Sequence, residues 1–328
     1  MDRRRLAATL LAALSATVLV AFPNVASAQP FPNKPIKLIV PFAAGGAADL
    51  FGRALGAGMS AELGQQVVVE PRAGAGGLTG VDVLAKSPPD GYTLCLAGAA
   101  ALSAIPFMVT KMPFDWQKDL ALISLVVRVP EVILVPDSLG INTLKEFVAH
   151  VHANPGKINF GSAGAGSITH LAVELLKTEA KLDMVHVPYR GVGPAIADML
   201  GGHIQLLVGD VPLMVPHIQS GKLKALAVTS GARSSAIPDV PTTGEMGYPK
   251  VNSDNWYGLV APAGTPPDAF DKLRKATLAV LQSAELKKQF ASQSAVAAPT
   301  TPEEFAAYIK SEQGKWGPVV MATGVKLE

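Results

Sequence analysis

The sequence predicts an α/β protein of two domains, and three observations carry that expectation. Short apolar strands alternate with helical stretches in βαβαβ order from Ile36 to Ala97, an order that calls for a parallel sheet covered by helices. The same scheme returns in the second half, from Thr143 onward. Between the halves the texture changes after Trp116. There the apolar runs Leu120 to Val127 and Val132 to Val135 are separated by Pro130, read as a crossing between domains. The bounds expected are 29–129 with 253–328 for a discontinuous first domain and 130–252 for the second.

The N-terminus stands apart from this scheme. Arg3, Arg4 and Arg5 form a positive region, Leu6 to Val20 an apolar core, and Ala26-Ser27-Ala28 a small-x-small cleavage site. This is the pattern of a secretory signal peptide over 1–28, with the mature chain starting at Gln29. The competing reading is a retained membrane anchor. No second apolar run is long enough to span a bilayer, so stable membrane insertion is not expected. Without the leader's Arg3, Arg4, Arg5 and Asp2, 25 Lys and Arg face 25 Asp and Glu. That balance argues against nucleic acid or acidic membrane surfaces as partners. Cys95 is the single cysteine, so no intrachain disulfide or thiolate zinc cluster is available. It lies in the strand pattern Tyr92 to Leu96 and reads as a small core residue rather than a nucleophile.

Element by element, Ile36 to Val40 is a strand. Ala48 to Leu63 is a helix with Leu50, Phe51, Ala54, Leu55 and Met59 on one face. Gln66 to Glu70 is a strand, Gly74 to Ala85 opens and completes a helix, and Tyr92 to Ala97 is a third strand. Thr143 to His152 is a helix and Lys157 to Phe160 a strand. Ile168, Leu171, Ala172, Leu175 and Leu176 then give the clearest helical period in the chain. Met184 to Val187 is a strand, and Gly191 starts a helix with Pro194 in its first turn. Gln205 to Val208 and Lys224 to Val228 are strands. Pro238, Pro241, Gly244, Gly247 and Pro249 mark a long irregular return. Trp256 to Ala261 is a strand, with helices near 268–283 and 302–320.

The most telling stretch is Pro41-Phe42-Ala43-Ala44-Gly45-Gly46-Ala47-Ala48-Asp49, a glycine turn between strand and helix. Such a turn leaves unpaired N–H groups at the positive end of a helix dipole, which suits an anion. No Lys or Arg lies in the turn, so an anion there would rest on main-chain dipoles. Gly46 is read as the residue that lets those groups approach, through an unusual φ. Gly161-Ser162-Ala163-Gly164-Ala165-Gly166-Ser167 repeats the arrangement in the second half.

The chain resembles the Bug family, the solute-binding proteins of tripartite tricarboxylate transporters. The matching pieces run almost end to end. They include Lys34-Pro35-Ile36, Val40-Pro41-Phe42 with Gly45-Gly46 and Asp49, Val67-Val68-Val69-Glu70 with Gly74-Ala75-Gly76-Gly77, and Pro89-Asp90-Gly91-Tyr92-Thr93-Leu94. Downstream come Asn154-Pro155-Gly156-Lys157, His170-Leu171, His186-Val187-Pro188-Tyr189-Arg190-Gly191, Leu226-Ala227-Val228-Thr229-Ser230, Pro238-Asp239-Val240-Pro241-Thr242 and Trp256-Tyr257-Gly258-Leu259. The resemblance implies a periplasmic-binding-protein-like fold (type II, Venus-flytrap), two domains joined by two crossings. It implies a periplasmic receptor that closes on a small organic acid and delivers it to the permease subunits of such a transporter. The other functions in view are a ligand sensor for a signalling partner and, less favoured, an enzyme on the same scaffold.

Carried over residue by residue, the resemblance assigns ligand contact to Phe42, Ala43, Ala44, Gly45, Gly46, Ala47, Ala48 and Asp49 in the first turn. It assigns Ser162, Gly164, Gly166, Ser167, Thr169 and His170 to the second, with Ala99, Gly191 and Asp210 on the rim. Two departures matter. Family members often carry Ser or Thr where this chain has Ala48, and Gly98-Ala99-Ala100-Ala101-Leu102 lacks the hydroxyl, His or Asn residues common there. Both point to a ligand with an apolar or aromatic body rather than a small polyhydroxylated acid.

Plainer readings stand beside these. Gly45-Gly46 would also allow tight packing, and Asp49 would also complement a helix dipole. Gly74 to Gly77 lacks the dinucleotide spacing, since position 79 is Thr, and Ser162 is not in a Gly-x-Ser-x-Gly elbow. His170 and Glu174 share a helix face without an evident third ligand, and His150 and His152 read as surface residues. Asp210 either meets a ligand ammonium or caps a helix, and Arg190 either pairs with a ligand acid or forms a surface salt bridge. No cofactor, metal or catalytic residue is expected.

Overall fold

The computed structural model describes residues 30–327; the leader expected over 1–28 and the start at Gln29 lie outside them. Strand β1 (Ile36–Val40) is flanked in parallel by β2 (Val67–Pro71) and β3 (Thr93–Gly98). Helices α1 (Ala47–Leu63) and α2 (Leu78–Ala85) make the returns between these parallel neighbours. α1 lies close on the sheet, because a Cβ on Gly52 would sit 2.7 Å from Val40 Cγ2. A π-helical turn at Ala100–Ala104 follows β3, and the short α3 (Trp116–Asp119) leads into β4.

β4 contains both apolar runs. The two apolar runs are one strand of 17 residues, Leu120–Pro136, running straight through Pro130. Up to Pro130 it pairs with β9 (Asp254–Pro262), and from Glu131 with β7 (Leu206–Asp210), so the proline sits where the strand changes partners. A residue without an N–H is tolerated at that point of a ladder. β9 also runs antiparallel to β3, so the sheet is mixed rather than parallel throughout.

The second lobe repeats the opening. α4 (Leu144–Ala153) begins with a capping box between Thr143 and Glu146. β5 (Asn159–Ser162) pairs in parallel with β6 (Val185–Pro188) and β7, while α5 (Ile168–Ala180) and α6 (Val192–Leu200) connect them. α7 (Val211–Gln219) escaped the sequence pattern because it holds Pro212 and Pro216, residues that ordinarily break helices. β8 (Leu223–Val228) pairs with β4, and the irregular return brings the chain back at β9. α8 (Pro267–Gln282), α9 (Ala284–Ser292), the short β10 (Val296–Ala297) and α10 (Pro302–Thr323) complete the first lobe.

Each lobe has its own core, but α5 serves both. Ile168 and Leu171 join the first-lobe cluster around Leu102, Ile105 and Trp316, whereas Ala172, Val173 and Leu176 pack with Phe147 and Phe160 in the second. The single stripe expected on this helix is divided between two cores. Its N-terminus therefore stands at the seam between the lobes.

Candidate functional site

The first glycine turn leads from β1 into α1. Gly46 is the residue before the helix, at φ −87°, and no side chain caps it. The φ of +83° falls at Gly45 instead, which corrects the expectation that Gly46 needs the unusual conformation. Gly45 donates its N–H to Asp49 Oδ2 at 3.0 Å, and Arg53 Nε donates to the same oxygen at 2.9 Å. Burial alone would raise the Asp49 carboxyl, yet these bonds with the Arg53 charge hold it below the usual range. Asp49 is thus spent on shaping the turn. The first-turn N–H groups of Ala47 and Ala48 donate to no side chain or loop and face the space between the lobes.

The second turn leads from β5 into α5 and is stitched by its own hydroxyls. Ala163 donates its N–H to Thr169 Oγ1 at 2.9 Å, and Ser167 Oγ donates to the Gly164 carbonyl at 2.7 Å. Ser167 Oγ also accepts the N–H of His170, capping α5. Behind the turn stand two imidazoles. His170 Nδ1 accepts the Gly166 N–H at 3.1 Å, and His186 Nε2 lies 2.7 Å from Ser162 Oγ. Glu174, beside His170, is paired with Lys177 at 2.8 Å. These groups support the turn from behind.

Between the turns lies a cleft with about 490 Å³ of space free of protein atoms, its open mouth included. Phe42, Ala43, Gly46, Ala47, Ala48 and Ala99 line it from the first lobe, and Ser167, Thr169, Gly191 and Asp210 from the second. Of the remaining residues expected at the site, Gly164 lines an adjoining crevice with Arg190. Ala44, Gly45, Asp49, Ser162, Gly166 and His170 stand off the cleft wall, in or behind the two turns. The lining further includes Ala100, Ala163, Ile168, Val192, Asn255 and Tyr257, which sequence reasoning did not single out. Asn255 and Tyr257 belong to a strand that reads as core, and no local signal marks its side chains for the cleft.

Four helix N-termini therefore reach the cleft: α1 at Gly46, α5 at Ser167, α6 at Gly191 and α7 at Asp210. Their combined dipoles favour an anion. Asp210 lines the cleft from the second lobe, as Ser167 and Gly191 do. Although it precedes α7, its side chain makes no capping bond. Asn255 Nδ2 donates to both of its oxygens, at 3.1 and 3.3 Å, and the Tyr257 hydroxyl lies 3.4 Å from Oδ2. Burial pushes Asp210 up from the ordinary carboxylate value. Its partner across the ladder, Glu131, is raised further by burial and by the Asp210 charge.

A family model described as the tripartite tricarboxylate transporter family receptor matches residues 51–325. The chain belongs to this receptor family. Among the receptors, BugT of Bordetella pertussis is 39% identical over 305 residues, 92% of this chain and 93% of BugT. The structure of the periplasmic binding protein BugD is similar with a TM-score of 0.87 at 34% identity, covering 91% of this chain and all of BugD (100%). MatC from Rhodopseudomonas palustris, solved with bound malate, gives a TM-score of 0.83 at 30% identity, covering 88% of this chain and 100% of MatC. The fold is accordingly the two-lobed α/β periplasmic-binding-protein type that the motifs of the receptor family implied.

Proposed function

We propose that this receptor captures a small carboxylated solute in the cleft, in the periplasm, and hands it unchanged to the permease subunits of a tripartite tricarboxylate transporter. The observation that carries the reading is the convergence of the α1, α5 and α6 N-termini on one space from two lobes. A carboxylate between them completes its hydrogen bonds only when the lobes are together, so binding favours the closed form. Several charge-assisted bonds at about 1.5–3 kcal/mol each suffice for micromolar binding after the costs of association. The malate in MatC is in keeping with an acid ligand. Ala43, Ala47, Ala48, Ala99 and Ala100 on the walls favour a body more apolar than a polyhydroxylated acid.

Native mass spectrometry of protein isolated from the periplasm tests the proposal. The expected result is a mature chain beginning at Gln29 and a co-purifying organic acid that is released intact on denaturation. Reproducible, protein-dependent conversion of that acid, or a full-length chain retained in the membrane, would overturn it.

A further inference from the structure

We infer that the Asp210 wall of the cleft is a subsite for an ammonium group, so that the solute carries a cationic amine as well as its carboxylate. The inference rests on the reading of the cleft as a carboxylate trap and extends it to the other end of the ligand.

The hydrogen bonds around Asp210 identify its state. Asn255 Oδ1 accepts the N–H of Trp256 at 2.9 Å, which turns the amide NH₂ toward Asp210. The same NH₂ donates to the Tyr257 oxygen at 2.9 Å, so the Tyr257 proton is left for Asp210 Oδ2. Every polar protein group on Asp210 is thus a donor, and the side chain is an acceptor-only carboxylate. It is 2% exposed. Among the described residues no Lys or Arg lines the cleft, and neither hydrogen-bond partner of the carboxylate carries a charge.

Glu131 sharpens the argument. It lies opposite Asp210 in the ladder, is fully buried, and accepts a bond from Ser253 on one oxygen while the other has no partner. Two carboxylates so close in a low dielectric do not both ionise. Glu131 keeps its proton and the pair carries one negative charge, on the side that faces the cleft. A second ligand carboxylate placed there would meet a like charge out of water. An ammonium supplies both the missing charge and donors for the remaining Asp210 lone pairs. The groups paired with or bonded to Asp210 are Glu131 from β4 and Asn255 and Tyr257 from β9, none of them cationic.

Calorimetry on the mature protein with matched probes tests this. One series is butyrate, succinate, 2-aminobutyrate and 4-aminobutyrate; the other is benzoate, terephthalate and 4-(aminomethyl)benzoate. The expected result is that an amine-bearing member binds at least about tenfold tighter than the plain acid and the diacid of its series. Asp210→Asn should shrink that preference by about the same factor. A diacid or plain acid that binds wild type as tightly as its amine-bearing counterparts would overturn the inference while leaving the carboxylate trap standing. Failure of every acid in both series would overturn the trap and the inference together. The wild-type comparison decides even if the variant does not fold.

Discussion

The imidazole rings of His170 and His186 lie parallel, with centroids 3.7 Å apart and planes 8° from coincidence. One ring hangs from α5 and the other from β6, and Phe160 lies beside the pair, 4.9 Å from His186 and 6.0 Å from His170. The pair connects the turn that faces the cleft to the second-lobe core, since His170 holds the Gly166 N–H and His186 holds Ser162.

That stack predicts a pH signature. Burial, with the His170 and Lys177 charges, pushes His186 down to about 3 against an opposing pull from Glu174. A histidine lowered in the folded state contributes stability that is present above its unfolded value of 6.5 and is lost as pH falls toward 3. His186→Leu should therefore be more destabilising at pH 7.5 than at pH 5. Urea titrations of both proteins at the two pH values check it; a difference that does not change with pH would refute it.

Glu131 predicts the opposite trend. Its folded value lies above 4.5, so its contribution is complete at low pH and is lost as pH rises through the raised value. Glu131→Gln keeps an acceptor for Ser253 and removes the ionisation. The variant should gain on wild type between pH 6 and pH 9 in the same titration, and a gap that stays constant would contradict the buried-acid account.

At the first turn, Gly46→Val should weaken solute binding far more than Asp49→Asn. Gly46 lines the cleft beside the open N–H groups of α1, and a branched side chain there occupies ligand space. Asp49→Asn retains an oxygen for the Gly45 N–H and loses part of its bond to Arg53. We expect a loss of about tenfold or more in affinity for the first, or ~1.4 kcal/mol, and under about threefold for the second. Calorimetry with the co-purified acid, with circular dichroism as the folding control, measures both.

Gly166 predicts a defect in closure. Its φ is +75°, and a Cβ there would stand 2.9 Å from Met108 Sδ and 3.0 Å from Leu327, both packed from the first lobe. Gly166→Ala should cost about 1–2 kcal/mol of backbone strain on top of that clash. The expected outcome is faster solute release in stopped-flow fluorescence and a smaller change in scattering radius on ligand addition than in wild type.

Much of the fold was legible because its signals are local. The glycine turn at Phe42 to Ala47, the period of Ile168 to Leu176 and the helix that opens at Thr143 each rest on local pattern, and each forms where that pattern places it. The misreadings have equally physical causes. α7 hides behind two prolines, and the sheet reads as parallel until β9 is seen to enter it antiparallel.

The order of residues in the chain decides that there are two anion-friendly turns, a family resemblance and almost no charge to hold a ligand. Tertiary structure decides which turn residues meet the solute. Asp49 and His170 are turned to structural work by Arg53 and Gly166, while Asp210, Asn255 and Tyr257 become one wall. That wall exists because β4 pairs with β7 on one side and β9 enters beside it, bringing positions 45 residues apart within hydrogen-bond distance. Local periodicity sets the faces of a strand, but only ladder pairing sets what those faces oppose.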